Sequence, residues 1–134
     1  MTLGVRALVQ RSDGKVLLVR HTYTKGLYLP GGGVEKGEIA SVSLLRELKE
    51  EGGVELTGTP RLVGIYSNEA IFPNDHVVFY HLRPGEWVGG EATSVGEISE
   101  IVWADPHALP TDTTPATQRR VAEIFADGPN DGYW

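Results

Sequence analysis

The segment from Ile39 to Glu51 constrains this chain more than any other, because it repeats apolar residues at helical spacing and then halts at Gly52-Gly53. A glycine pair after a periodic run is a helix stop. With Ala40 set at zero, Leu44, Leu48, Ser41 and Leu45 fall at roughly 40°, 80°, 100° and 140° around the axis. That mainly apolar stripe predicts an amphipathic helix with those residues against a core. Glu47, Glu50 and Glu51 fall at roughly 340°, 280° and 20°. Three carboxylates are therefore expected beside the buried stripe, in the last helical turn, where the helix dipole disfavours negative charge.

Two readings of that acidic arc compete. As a solvated face it is tolerable, since exposed like-charge pairs at this spacing cost only about 0.2–0.5 kcal/mol each. Partly buried, with an effective dielectric of 20, a pair ~5.5 Å apart repels by nearer ~3 kcal/mol. A divalent cation would turn that repulsion into attraction, and an oxygen-only ligand set suits Mg²⁺ or Mn²⁺ better than Zn²⁺.

Elsewhere the pattern is mostly β. Val5–Val9 and Val16–Val19 flank Ser12-Asp13-Gly14-Lys15, and Asp-Gly between two such runs predicts a hairpin. Leu27–Leu29 reads as a short strand before the breaker Pro30-Gly31-Gly32-Gly33. Further strands are expected at Arg61–Ser67, His76–Leu82 and Ile98–Trp103, and a second helix from Pro115 to Ala126. Residues 128–134 read as a mobile C-terminal tail. Strands, helix, strands, helix is an α/β (α+β) order, a mixed sheet flanked by helices.

Composition narrows the function classes. The chain's 134 residues suit one domain, set at 1–127. The absence of cysteine excludes a disulfide scaffold, a thiolate nucleophile and a thiolate zinc site. A net charge of −6 argues against general nucleic-acid binding, but is compatible with a small phosphorylated ligand held through a metal. No apolar run reaches the ~18–20 residues of a membrane span, and the first residues lack a signal-peptide pattern. A cytoplasmic protein is expected.

Spacing upstream of the glutamates decides between the two readings. The chain runs Gly32, five residues, Glu38, seven residues, then Arg46-Glu47-Leu48-Lys49-Glu50-Glu51-Gly52-Gly53-Val54. This resembles the Nudix box, with every specified position filled over residues 32–54. Chance would place it in such a chain with a probability on the order of 10⁻⁷ or below. Leu29-Pro30-Gly31-Gly32 before the box and Glu97–Trp103 after it are also similar to family features.

The resemblance implies the Nudix α/β/α sandwich and a hydrolase that cleaves the pyrophosphate bond of a nucleoside diphosphate linked to another moiety, X. It implies Mg²⁺ (or Mn²⁺) held by Glu47, Glu50 and Glu51, with the Gly31 carbonyl adding a ligand. By the same resemblance Glu47 is the candidate base that takes the proton of the attacking water. Members with the base on a late strand or loop make Glu97 and Glu100 the alternatives. Glu38 and Arg46 are implied as an ion pair bracing the loop against the helix, and Gly32 and Gly53 as structural positions of the box. Many members are dimers, so a homodimer is compatible with the resemblance.

Arg20 and Tyr28, around the second strand, are candidates for substrate contact through phosphate pairing and base stacking. The group X stays open. Members similar to ADP-ribose pyrophosphatases carry a proline where this chain has Ala70, and those cleaving dinucleoside polyphosphates a tyrosine near Phe72. The competing function is a catalytically silent, nucleotide-sensing or partner-binding Nudix module. Such modules commonly lose box glutamates, and all four are intact here.

Overall fold

β1 (Thr2–Val9) is the organising strand. It runs parallel to β7 (Asp75–Leu82) along its whole length, from Thr2 opposite Asp75 to Val9 opposite Leu82. Its other edge takes β4 (Gly31–Gly33), antiparallel, with Arg6 opposite Gly31. β6 (Arg61–Ser67) pairs antiparallel with β7, giving the mixed order β4-β1-β7-β6. A second sheet sets β2 (Val16–His21) between β3 (Leu27–Tyr28) and β9 (Ile98–Ala104). β5 (Val54–Leu56) and β8 (Trp87–Gly89) form a short pair. This computed structural model describes residues 1–89 and 97–134.

Strand alternation sends side chains to two cores. Val5, Ala7 and Val9 of β1 and Leu17 of β2 pack against Leu44 and Leu48 of α1 (Ala40–Gly52). Leu8, Val16 and Leu18 face the other way and pack with Val121 of α2 (Pro115–Phe125). The result is the expected α/β/α sandwich, a mixed sheet between two helices. α1 stops where Gly53 turns left-handed (φ 64°) and its N–H reaches the Leu48 and Lys49 carbonyls. α2 starts at Thr114, whose hydroxyl oxygen accepts the Thr117 N–H, with Pro115 in its first turn.

Four expectations are corrected. The Asp13-Gly14 turn forms, with the Arg11 N–H on the Lys15 carbonyl, but the hairpin does not: the two arms meet at one bridge, Gln10 with Val16. Ala7–Val9 and Val16–Val19 are completely buried, and strands buried on both faces need partners on both edges. β1 already has β7 on one side and β4, with the Pro30 carbonyl on the Ala7 N–H, on the other. The glycine run, expected as a breaker, is itself the strand β4. β5 and β8, three residues each, were not expected, because pairing rather than local pattern creates them.

The third correction is rotational. Leu45, expected in the buried stripe, is 41% exposed, whereas Ser43, Leu44, Leu48 and Glu51 are buried. On the same wheel their mean direction is roughly 20°, so the helix is turned by about 70° from its hydrophobic prediction. The inward face is thus centred on the carboxylates.

The fourth concerns residues 128–134, which dock instead of hanging free. The Ser67 N–H donates to the Gly132 carbonyl (2.7 Å) and the Trp134 N–H to the Ser67 carbonyl (2.9 Å). The Trp134 ring meets Tyr66 and Phe79 edge-on at centroid distances of 5.5 and 5.6 Å.

Candidate active site

The site forms where the C-terminal half of α1 faces β4. Gly31 lies so close to β1 that a Cβ there would overlap the Val5 carbonyl oxygen, so no other residue fits. A Cβ on Gly32 would lie 2.5 Å from the Glu47 carboxylate. Gly32 thus leaves a cradle that Glu47 fills. Glu51 reaches the same strand: its Oε1 accepts the Gly31 N–H at 3.1 Å. Turning the helix toward the glycine strand is what admits two carboxylates into an interior otherwise lined by leucine and valine.

Glu51 is only 4% exposed. The Glu47 side chain is largely buried and that of Glu50 half-exposed. Burial pushes the Glu47 carboxyl above the usual range; the Arg46 hydrogen bond (2.8 Å) opposes this, and the charges of Glu51 and Glu50 add to it. Arg46 is a guanidinium that Glu47 and Glu50 share with Glu38. Its Nε and Nη2 grip Glu38 at 3.1 and 3.0 Å, its Nη1 holds Glu47, and Glu50 lies 3.8 Å away. Glu38, which also accepts the Ser43 hydroxyl, is held down at about 2 by Arg46 first and Ser43 second. The loop before α1 is thereby fastened to the helix through the Glu38–Arg46 ion pair.

Among the described residues no three acidic or histidine side chains converge as a closed metal shell. The donor set nonetheless fits a hard divalent cation. It is all oxygen, it is partly desolvated, and Glu47 and Glu51 meet at adjacent glycines with their repulsion only partly offset by Arg46.

The structure gathers the other candidates unevenly. Tyr28 lies at the site's rim, its ring 5.3 Å from that of His21. Arg20 belongs elsewhere. Its guanidinium is taken by Glu100 (2.9 Å) and Asp112 (2.5 Å), on the strand parity that faces α2. Glu100 is thus paired to Arg20 and does not meet the α1 carboxylates. Glu97 is exposed; its carbonyl accepts the Thr22 N–H, and its charge, with those of Glu51 and Glu47, bears on the Tyr23 hydroxyl, which burial first and these charges next push upward.

Two residues at the site were assigned no role from sequence. His21 is buried, with Nε2 3.4 Å from Glu51 Oε2. Its signal was strand parity, since it shares the face of β2 with Leu17, which packs against α1. Arg6, opposite Gly31, donates to the Leu29 carbonyl at 2.7 Å and lies 5.8 Å from the Tyr28 ring centre. Nothing in its neighbourhood in the sequence marks it.

Comparison with known proteins shows the family. A family model described as NUDIX domain matches residues 1–125. The chain is 29% identical over 131 residues to a putative 8-oxo-dGTP diphosphatase of Bacillus subtilis, covering 97% of this chain and 83% of that protein. It is 34% identical over 111 residues to an ADP-ribose pyrophosphatase of Methanocaldococcus jannaschii, covering 81% of this chain and 64% of the relative. The crystal structure of a MutT NUDIX hydrolase from Burkholderia pseudomallei superposes with a TM-score of 0.75 at 23% identity, over 92% of this chain and 97% of that one.

Proposed function

The chain belongs to the NUDIX domain family of hydrolases acting on phosphoric anhydrides, and from that premise we propose that it hydrolyses the pyrophosphate bond of a nucleoside diphosphate linked to a further group, with Mg²⁺ or Mn²⁺. The observation that carries this reading is the burial of Glu47 and Glu51 against Gly31-Gly32, an arrangement that weakens the bare protein and becomes favourable around a cation. Glu47, Glu50, Glu51 and the Gly31 carbonyl would hold the ion. When bound, it supplies charge neutralisation at the diphosphate and a lowered pKa for water.

The protein's own groups supply the rest. Glu47 takes the proton of the attacking water as the new P–O bond forms, and the anhydride P–O bond breaks to release two phosphorylated products. Burial raises its pKa, which makes it a stronger base than an exposed glutamate. Arg46 and Glu38 keep its helix turn in register with β4. Tyr28 and Tyr23 flank the approach as flat surfaces for a base or for X.

Relatives named for 8-oxo-dGTP and for ADP-ribose keep both nucleoside triphosphates and nucleotide-linked groups as substrate classes. Hydrolysis of nucleoside triphosphates, ADP-ribose, nucleotide sugars and dinucleoside polyphosphates, with products separated by chromatography, tests the reading. Wild type is expected to turn over one class in Mg²⁺, and Glu51→Gln to lose at least about 100-fold while staying folded. Equal rates in the two proteins would remove Glu51 from the chemistry. Ligand-induced stabilisation without turnover by wild type would favour the sensing module.

A further inference from the structure

We infer that His21 is a positioning residue for Glu51, holding that carboxylate in the orientation in which it meets the cation; the inference rests on the metal-dependent reading above. Glu51 is fixed from two sides. The Gly31 N–H donates to Oε1 at 3.1 Å, and His21 Nε2 lies 3.4 Å from Oε2. Both side chains are almost wholly buried, at 3% and 6% exposure. The imidazole is walled by two tyrosines, Tyr23 at a ring-centre distance of 5.0 Å and Tyr28 at 5.3 Å. With both side chains buried, water has little access to the contact.

The hydrogen-bond inventory selects the tautomer. Nδ1 of His21 is buried without a partner. A proton there would be an unsatisfied buried N–H, whereas a bare lone pair is the milder deficit, and Nε2–H facing a carboxylate gains a charge-assisted bond. With a proton on Nε2, the imidazole donates to Glu51. The role also accounts for a buried polar residue at the end of a strand whose other buried members, Val16–Val19, are all apolar. A leucine would fill the space between the tyrosines, but it would leave Oε2 without a donor.

A group that orients a metal ligand typically changes metal affinity by about 10- to 100-fold when removed. The test is Mn²⁺ binding to the intact chain, read by the loss of the free-ion EPR signal, for wild type, His21→Leu, His21→Gln, Glu51→Gln and the double variant His21→Leu with Glu51→Gln. His21→Leu is expected to weaken Mn²⁺ about 10- to 100-fold. His21→Gln, which returns an N–H near the Nε2 position, should recover most of the loss. In the Glu51→Gln background, His21→Leu should have no further effect, because its influence passes through that carboxylate. Undiminished binding in His21→Leu, or additive losses in the double variant, would overturn the inference while leaving the metal site standing. Should His21→Leu not fold, His21→Gln against Glu51→Gln carries the same comparison, with wild-type-like affinity expected for the first. No Mn²⁺ binding by wild type would overturn the metal reading and this inference together.

Discussion

The two faces of the sheet each bury charge, and they handle it in opposite ways. Under α2, Arg120 is fully buried and partnered at both Nη atoms, while its Nε faces a carboxylate without a hydrogen bond. Its Nη1 and Nη2 donate to the Tyr133 and Pro129 carbonyls, and its guanidinium lies 4.2 Å from the Tyr66 ring centre. Glu123 stands 3.5 Å from Nε and accepts the Tyr66 hydroxyl at 2.8 Å. Under α1, Glu47 and Glu51 are buried with like charge nearby, and Arg46, which holds Glu47, is divided among four carboxylates, Glu35, Glu38, Glu47 and Glu50. Where buried charges are matched, the cluster holds the fold together. Where they are mismatched in sign, the fold bears a cost that a ligand can relieve.

The largest break of that comparison is Arg120→Met. Removing one partner strands Glu123 and loosens residues 129–134, so stability should fall by about 3–5 kcal/mol, read from the urea midpoint. Mn²⁺ affinity of the folded fraction should be unchanged. A smaller loss is expected for Trp134→Ala, roughly 2–3 kcal/mol, below the ~3–5 of a fully buried ring because this one is half-exposed. An unaltered midpoint would mean that the docked tail adds nothing to the α2 side.

The smallest effect is electrostatic. The folded Glu38 carboxyl is lowered to about 2, beneath an unfolded value of about 4.3. Its contribution is therefore present above pH ~4.3 and is lost as pH falls toward 2. Glu47 runs the other way: its folded value is raised, so its proton is bound more tightly in the fold and it favours stability at low pH. Glu38→Gln should flatten the acid-side decline of the unfolding midpoint between those limits. An unchanged profile would separate Glu38 from the brace.

What the sequence revealed and what it concealed follow one physical division. Helical spacing placed Glu47 and Glu51 on one arc because spacing on a helix is local geometry, whereas the Glu38–Arg46 pair was implied only by the family resemblance. The hairpin expectation failed because β1 and β2 take their partners from β4, β7, β3 and β9, which are remote in sequence. Apolar periodicity misdirected α1 by putting Leu45 inside and Glu51 beside the stripe. Hydrophobicity finds the inward face only where burial is its sole determinant, and a site that must hold carboxylates breaks that rule. His21 was legible through strand parity. The docking of Trp134 was not, since nothing local marks residues 129–134 as meeting Tyr66 and Arg120.

The most direct test of the central claim is the thermal unfolding midpoint of wild type and Glu47→Gln, each with and without Mg²⁺. The mismatch on the α1 side predicts that Glu47→Gln without metal is as stable as wild type or more so, because burial and like charge are relieved together. It also predicts that wild type gains about 2.7 kcal/mol at a metal concentration 100 times the Kd, and that the variant loses most of this gain. A less stable bare variant with an intact Mg²⁺ response would contradict the account, making Glu47 a structural acid and moving the cation elsewhere.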